Sequence, residues 1–196
     1  NRNSPEGEIV QVLGFPNAKN VDMMSVAYSY GLHTDFPQNC CKQAQQMPQS
    51  VSEKEIEGRV DLRGDTVFTI DGEDAKDLDD AVSIVQNADD TYTLSVHIAD
   101  VSHYVKAGDA IDKEAFARGT SVYFPETVFP MLPRELSNGI CSLYEGVDRL
   151  TLSCRMTINN RGKVLQSDIF PSVIRSKHRL TYTAVQAGVR PRGVRR

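Results

Sequence analysis

Apolar and polar positions alternate with a period of two over much of the chain, which is the pattern of half-buried β-strands. Six segments are predicted to be extended: residues 67–70, 81–86, 92–99, 101–105, 150–158 and 163–173. The last two flank a Gly-containing turn and predict a β-hairpin. Residues 5–14 predict a further strand, whose partner strands would lie outside this chain because one strand is not stable alone.

Helical patterns flank these strands. They predict helices over residues 20–31, 53–57, 109 or 112 to 118, 136–143 and 180–186, and a surface helix or a linker over residues 40–46. Residues 120–135 contain three prolines and predict a loop. The order of the elements predicts an α+β fold, with a mixed or antiparallel β-sheet and flanking helices.

A run of acidic residues interrupts this pattern between two predicted strands. It places six Asp or Glu residues within positions 71–80, directly after one apolar segment and directly before another. Like charges at such spacing raise one another's pKa values, so a compensating cation is expected. Carboxylate oxygens are ligands that hard divalent cations prefer.

Three interpretations of the acidic run compete. A calcium loop that begins at Asp71 would need Gly at its sixth position and Glu at its twelfth, but Lys76 and Val82 stand there. A solvated acidic turn fits poorly, because Asp79 and Asp80 lead directly into an apolar strand. The pattern therefore favours a magnesium site for phosphoryl transfer, in which several carboxylates hold one or two ions.

Charge is distributed unevenly along the chain. Residues 1–150 contain 12 Lys or Arg and 25 Asp or Glu, whereas residues 151–196 contain 10 Lys or Arg and a single acid, Asp168. A basic region beside an acidic cluster suits a polyanionic substrate, although a solvated basic tail would show the same composition. The spacing of the four cysteines matches no zinc site, and free thiols in a reducing cytoplasm are expected.

Four separate motifs follow one another in the order of a known catalytic domain. They are RVDLR at 59–63, TIDGEDAKDLDDAV at 69–82, HIADVSHYV at 97–105 and PMLPRELS at 130–137. Together they resemble the RNB catalytic domain of the ribonuclease II/ribonuclease R family, and most closely its bacterial ribonuclease R members. The resemblance covers about residues 57–186.

The resemblance implies a processive 3′→5′ exoribonuclease that hydrolyses RNA with Mg²⁺ and releases nucleoside 5′-monophosphates. Asp71, Asp77, Asp79 and Asp80 match the family's catalytic and metal-binding aspartates, and loss of Asp80 is expected to block cleavage while sparing RNA binding. Tyr123 matches the aromatic residue that stacks on the 3′-terminal base of single-stranded RNA. Glu73 and Asp74 in the same run are not required by the family pattern.

The resemblance also divides the chain into four parts. They are the end of an OB-type cold-shock domain at 1–18, a helical connector at 19–56, the N-terminal portion of the RNB domain at 57–187 and an atypical basic tail at 188–196. We therefore expect a fragment with weak or absent exonuclease activity, because the family's catalytic arginine and glutamate have no counterpart here. A non-catalytic RNA-binding fragment of the same family is the alternative.

The remaining expectations concern individual residues and surroundings. His97 and His103 are expected to be structural, because they have no third ligand beside them, and Asp100 is a candidate to support the metal site. No run of about 18 apolar residues exists, so neither a membrane span nor a membrane partner is expected. The sequence indicates a cytoplasmic protein and no obligate protein partner.

Overall fold

The computed structural model describes residues 7–9, 11–16 and 18–188. The helices are α1 Val21–Ser29, α2 Gln38–Ala44, α3 Glu53–Ile56, α4 Val101–Tyr104, α5 Ala110–Arg118 and α6 Tyr182–Gly188, with a π-helical turn at Leu136–Ile140. The strands are β1 Val60–Asp61, β2 Phe68–Asp71, β3 Asp80–Gln86, β4 Tyr92–Ala99, β5 Val122–Tyr123, β6 Val128–Phe129, β7 Asp148–Ile158, β8 Val164–Arg175 and β9 His178–Thr181.

Seven of the strands form one mixed sheet in the order β1-β8-β7-β4-β3-β2-β9. β1 runs parallel to β8 and β2 runs parallel to β9, while the other neighbours are antiparallel. The prediction of an α+β fold with a mixed sheet is confirmed. The predicted strands at 67–70, 81–86 and 92–99 correspond to β2, β3 and β4, and the predicted hairpin is β7 and β8.

Local sequence signals account for the ends of several helices. The Asp109 side chain accepts a hydrogen bond from the backbone N–H of Asp112 at 2.7 Å and so caps the start of α5. Gly119 ends the same helix with a φ of 72°, a conformation that favours glycine. Ser52 and Glu55 form a capping box at the start of α3.

Three sequence expectations were wrong. Residues 101–105 do not continue as a strand; the chain turns into α4, and Tyr104 packs into the core. The helix predicted from residue 180 begins at Tyr182, because residues 178–181 pair with β2 as a strand. Within the strand predicted at 5–14, the described residues 7–9 and 11–14 form no strand.

The loop predicted at 120–135 holds the short antiparallel ribbon of β5 and β6. The atypical tail at 188–196 lies outside the described residues after Gly188. None of the helices in the described part of the chain is long and apolar enough to cross a membrane. All four cysteines are free thiols, as expected.

Candidate functional site

The predicted aspartates lie where β2 leads into β3. Asp71 is the last residue of β2 and Asp80 is the first residue of β3. Residues 72–79 between them form the segment that we call the acidic loop, and Asp77 and Asp79 lie in its second half. The two neighbouring strands therefore bring all four candidate residues to one end of the sheet.

Leu78 fixes the second half of the acidic loop. Its side chain is fully buried, its backbone N–H donates to the Ser142 hydroxyl at 3.1 Å, and its carbonyl accepts from the Leu143 N–H at 2.9 Å. Because Leu78 turns into the core, Asp77 and Asp79 on either side of it lie towards the surface.

The pKa directions show that the four carboxylates influence one another. Loss of water around its carboxyl group, followed by the charges of Asp77, Asp80 and Asp71, raises the pKa of Asp79. Burial, followed by the charge of Asp80, raises the pKa of Asp71. The cluster thus carries negative charge that the surrounding protein compensates only in part.

The donor chemistry of the cluster fits a hard divalent cation. All four side chains offer carboxylate oxygens, and the Oδ2 atom of Asp71 is buried without a hydrogen-bond partner among the described residues. As placed, however, no group of three or more His, Cys, Asp or Glu side chains within the described ranges could hold a metal ion. Side-chain rotation is therefore needed before these carboxylates can share one ion.

Tyr123 contacts the acidic loop directly. Its hydroxyl donates a hydrogen bond of 2.5 Å to Oδ2 of Asp77, and this bond, more than burial, raises the pKa of Tyr123 to about 12. The side chain is nevertheless 63% exposed. An accessible aromatic ring therefore lies beside a candidate metal-binding carboxylate.

A cavity of about 520 Å³ opens beside the acidic loop. Its lining includes Asp77, Phe124 and Asn138, together with the positively charged Lys76, Arg134 and Arg179. A mixed lining of carboxylate, aromatic and guanidinium groups has the chemistry to contact a nucleotide.

Two residues that hold the acidic loop were missed by sequence reasoning. The Arg179 guanidinium in β9 donates to the carbonyl oxygens of Glu73 and Ala75, both at 2.8 Å. The Ser142 hydroxyl donates to the carbonyl oxygen of Lys76 at 2.8 Å. Neither has a local sequence signal, because each lies far along the chain from the loop that it contacts.

The histidines and Asp100 have structural partners. His97 is fully buried between Ser153 and Ser83, and His103 lies 2.9 Å from Glu55, so the structural interpretation of both is confirmed. Asp100 forms an ion pair of 2.7 Å with Arg59. Among the described residues, its carboxylate accepts hydrogen bonds from Arg59 and Ser102.

Comparison with known proteins agrees with this architecture. The RNB domain model matches residues 59–193, more than half of the chain. The chain belongs to the RNB family. A cold shock domain model matches residues 1–37.

Relatives of this RNB chain include curated proteins named ribonuclease R. That of Thermotoga maritima is 51% identical over 93% of this chain and 26% of its own length, and Ribonuclease R 1 of Lactococcus lactis is 47% identical over 92% and 22%. The structure of Mycoplasma genitalium RNase R in complex with double-stranded RNA matches with a TM-score of 0.86 and 31% identity, over 91% of this chain and 32% of that one. The chain thus spans about a quarter of the length of these curated relatives.

Proposed function

We propose that this chain forms the metal-binding part of an exoribonuclease site. The activity is Mg²⁺-dependent hydrolysis of single-stranded RNA from its 3′ end, with release of nucleoside 5′-monophosphates in the cytoplasm. The contact between Tyr123 and Asp77 carries the proposal, because it joins an exposed base-stacking ring to the acidic cluster. Membership of the RNB family and the ribonuclease R relatives support it.

The proposed roles follow from the chemistry of each side chain. Asp71, Asp77, Asp79 and Asp80 would hold Mg²⁺, which in such sites activates water and neutralises charge on the phosphate. Tyr123 would stack on the terminal base, and stacking tolerates any base, which suits RNA degradation of low sequence specificity. Asp80 stands at the start of β3, where the regular strand holds its backbone in place.

For the isolated chain we propose weak or absent turnover. The guanidinium that contacts the acidic loop, that of Arg179, is bound to backbone carbonyl groups. A positively charged donor aimed at the transition state contributes orders of magnitude in phosphoryl transfer. This placement is also what favours the second candidate, a non-catalytic RNA-binding fragment of the RNB family.

Metal binding is tested by titrating the chain with Mn²⁺, a paramagnetic substitute for Mg²⁺, and measuring free Mn²⁺ by electron paramagnetic resonance. Asp80→Asn is expected to weaken binding by about tenfold or more, because one ligand is lost. Asp74→Asn is the matched control, since it removes the same charge from the same loop at a position outside the proposed ligand set. Equal affinities for both variants would overturn the metal assignment.

Catalysis is tested with a single-stranded RNA labelled at its 5′ end. The two candidates differ in outcome: slow shortening from the 3′ end that Asp80→Asn abolishes supports the enzyme, whereas binding without shortening supports the non-catalytic fragment. Tyr123→Ala is expected to weaken RNA binding about tenfold, because base–aromatic stacking contributes about 1–3 kcal/mol per base. Fast processive degradation would contradict the proposal of impaired turnover.

A further inference from the structure

The backbone on both sides of Asp77 is held by a single buried hydroxyl group. Oγ of Ser142 donates to the carbonyl oxygen of Lys76 at 2.8 Å and accepts from the N–H of Leu78 at 3.1 Å. Ser142 is fully buried, so water does not compete for these bonds. The peptide units before and after Asp77 are thus fixed to one atom.

Two neighbours of Ser142 strengthen this attachment. The hydroxyl of Tyr144 also donates to the Lys76 carbonyl oxygen, at 3.0 Å, and the N–H of Leu143 donates to the carbonyl oxygen of Leu78 at 2.9 Å. Residues 142–144 and residues 76–78 are therefore joined by four hydrogen bonds. The direction in which Asp77 and Asp79 leave the backbone depends on these contacts.

The attachment is itself anchored to the central sheet. Arg149 in β7 is buried, and its guanidinium donates to the carbonyl oxygens of Ser142 at 2.8 Å and Gly139 at 3.2 Å. Ser142 is held by a rigid strand on one side and holds the acidic loop on the other. A loop that carries repelling carboxylates needs such support, because the charges favour an open arrangement.

We infer that Ser142, assisted by Tyr144, is a positioning residue that fixes the backbone carrying Asp77 and Asp79, so that rotation of their side chains can bring the carboxylates to a divalent cation. The inference rests on the proposed function and assigns part of the metal affinity to two hydroxyl groups that touch no metal. Groups that orient metal ligands typically affect metal affinity by about 10–100-fold.

The test compares Ser142→Ala with Ser172→Ala in the 196-residue chain. Ser172 is a matched control: it is also fully buried, and its hydroxyl bonds to Thr151 and Ser153, on the sheet and away from the acidic loop. Ser142→Ala is expected to raise the Mn²⁺ dissociation constant about tenfold and to speed hydrogen exchange of the Leu78 amide. Ser172→Ala is expected to leave the Mn²⁺ affinity within about twofold while it lowers stability.

The outcomes distinguish failure of the proposed metal site from failure of the proposed role of Ser142. If the unaltered chain binds no Mn²⁺, the proposed metal site is wrong and the inference falls with it. If the unaltered chain binds Mn²⁺ and Ser142→Ala binds it equally well, the inference alone is wrong. If Ser142→Ala does not fold, Tyr144→Phe takes its place: Tyr144 is partly exposed, so the variant is expected to fold and to bind Mn²⁺ at least twofold more weakly, and unchanged affinity would overturn the inference.

Discussion

In most sheets the covered face carries the large apolar side chains, but in the central sheet of this protein many of them lie on the exposed face. On the covered face, the buried side chains are mostly small or polar: Ala81, Ser83, Ser95, His97, Ala99, Thr151, Ser153 and Ser172. On the other face, Leu150 and Val173 are buried at one end, but the remaining large apolar side chains form what we call the open face and are about half exposed: Ile84, Ile98, Leu152 and Ile169. Asp80 lies on the open face, in the same cross-strand row as Ile98 and Leu152.

The covered face is stabilised by hydrogen bonds as well as by burial. His97 bonds to Ser153 at 2.6 Å, Ser153 bonds to Ser172 at 2.5 Å, and Ser172 bonds to Thr151 at 2.7 Å. The hydrogen bonds among these side chains satisfy their polar groups. Apolar character alone therefore does not mark the inner face of this sheet.

The largest difference in the free energy of unfolding is expected between substitutions at two neighbouring residues whose side chains lie on opposite faces. His97→Ala is expected to lower the free energy of unfolding by about 3–5 kcal/mol, because it creates a cavity and removes one of the hydrogen bonds of Ser153. Ile98→Ala, one position along the same strand, is expected to cost about 1 kcal/mol, since its side chain is already half exposed. Urea denaturation of both variants measures the difference, and equal losses would contradict the assignment of the faces.

The second effect is a pH dependence of stability that arises from His97 on the covered face. Burial lowers the pKa of His97 to about 4, from about 6.5 in the unfolded chain. Between these two pH values the unfolded state therefore binds one more proton than the folded state. The contribution of neutral His97 to the free energy of unfolding is complete above pH 6.5 and is lost as the pH falls to 4. Its size is about 3 kcal/mol at most, and nearby Asp65 and Arg155 act on the histidine in opposite directions.

Denaturation at pH 7 and pH 4.5 separates the His97 contribution from that of other groups. The unaltered chain is expected to lose more stability over this interval than His97→Gln, which cannot take up the proton. Asp71 and Asp79, whose pKa values are raised, contribute in the opposite sense in both proteins and cancel in the comparison. An identical pH dependence would show that His97 is accessible to water.

A third effect compares two cysteines. Cys154 lies on the open face, in the row of Val96 and Ile169, and is partly exposed. Cys141 is buried, and burial raises the pKa of its thiol to about 12. Native-state labelling with iodoacetamide is expected to modify Cys154 at least about tenfold faster than Cys141, since the thiolate is the reactive form. Peptide mass spectrometry resolves the two sites, and Cys154→Ser provides the control.

The smallest effect is expected for a charge on the open face. Ile169 is 65% exposed, so Ile169→Lys is expected to change the free energy of unfolding by no more than about 0.5 kcal/mol. The same substitution should reduce binding of the dye ANS, because it divides a contiguous apolar surface. A loss of several kcal/mol would mean that the open face is covered in solution.

Much of the fold follows from local patterns. The strand from Tyr92 to Ala99 has the predicted bounds, and Asp109 and Gly119 mark the ends of α5 where the sequence indicates them. The failure at residues 101–105 has a tertiary cause. Residues 101–105 have the composition of a strand, but Asp100 pairs with Arg59 and Tyr104 enters the core, and these contacts turn the chain into a helix.

In the candidate site, too, local features can be predicted from the sequence and long-range contacts cannot. The acidic run stands out in the sequence because of its charge, and Tyr123 is singled out by the resemblance to the RNB family. The hydrogen bond between Tyr123 and Asp77 joins residues 46 positions apart, and the Ser142 contact with Lys76 joins residues 66 positions apart. No pattern within a short stretch of sequence predicts such contacts, so the contacts of Ser142 and Arg179 with the acidic loop could not be predicted.

By itself, the sequence determined the α+β class, the main antiparallel strands and the position of the carboxylates, because alternation, turns and charge density act over a few neighbouring residues. Only the tertiary structure decided which sheet face is covered, because alternation distinguishes two faces without saying which one the rest of the chain packs against. It also decided the parallel pairing of β2 with β9 and the attachment of the acidic loop to Ser142. Both depend on the packing of distant segments, which the free energy of the whole fold selects.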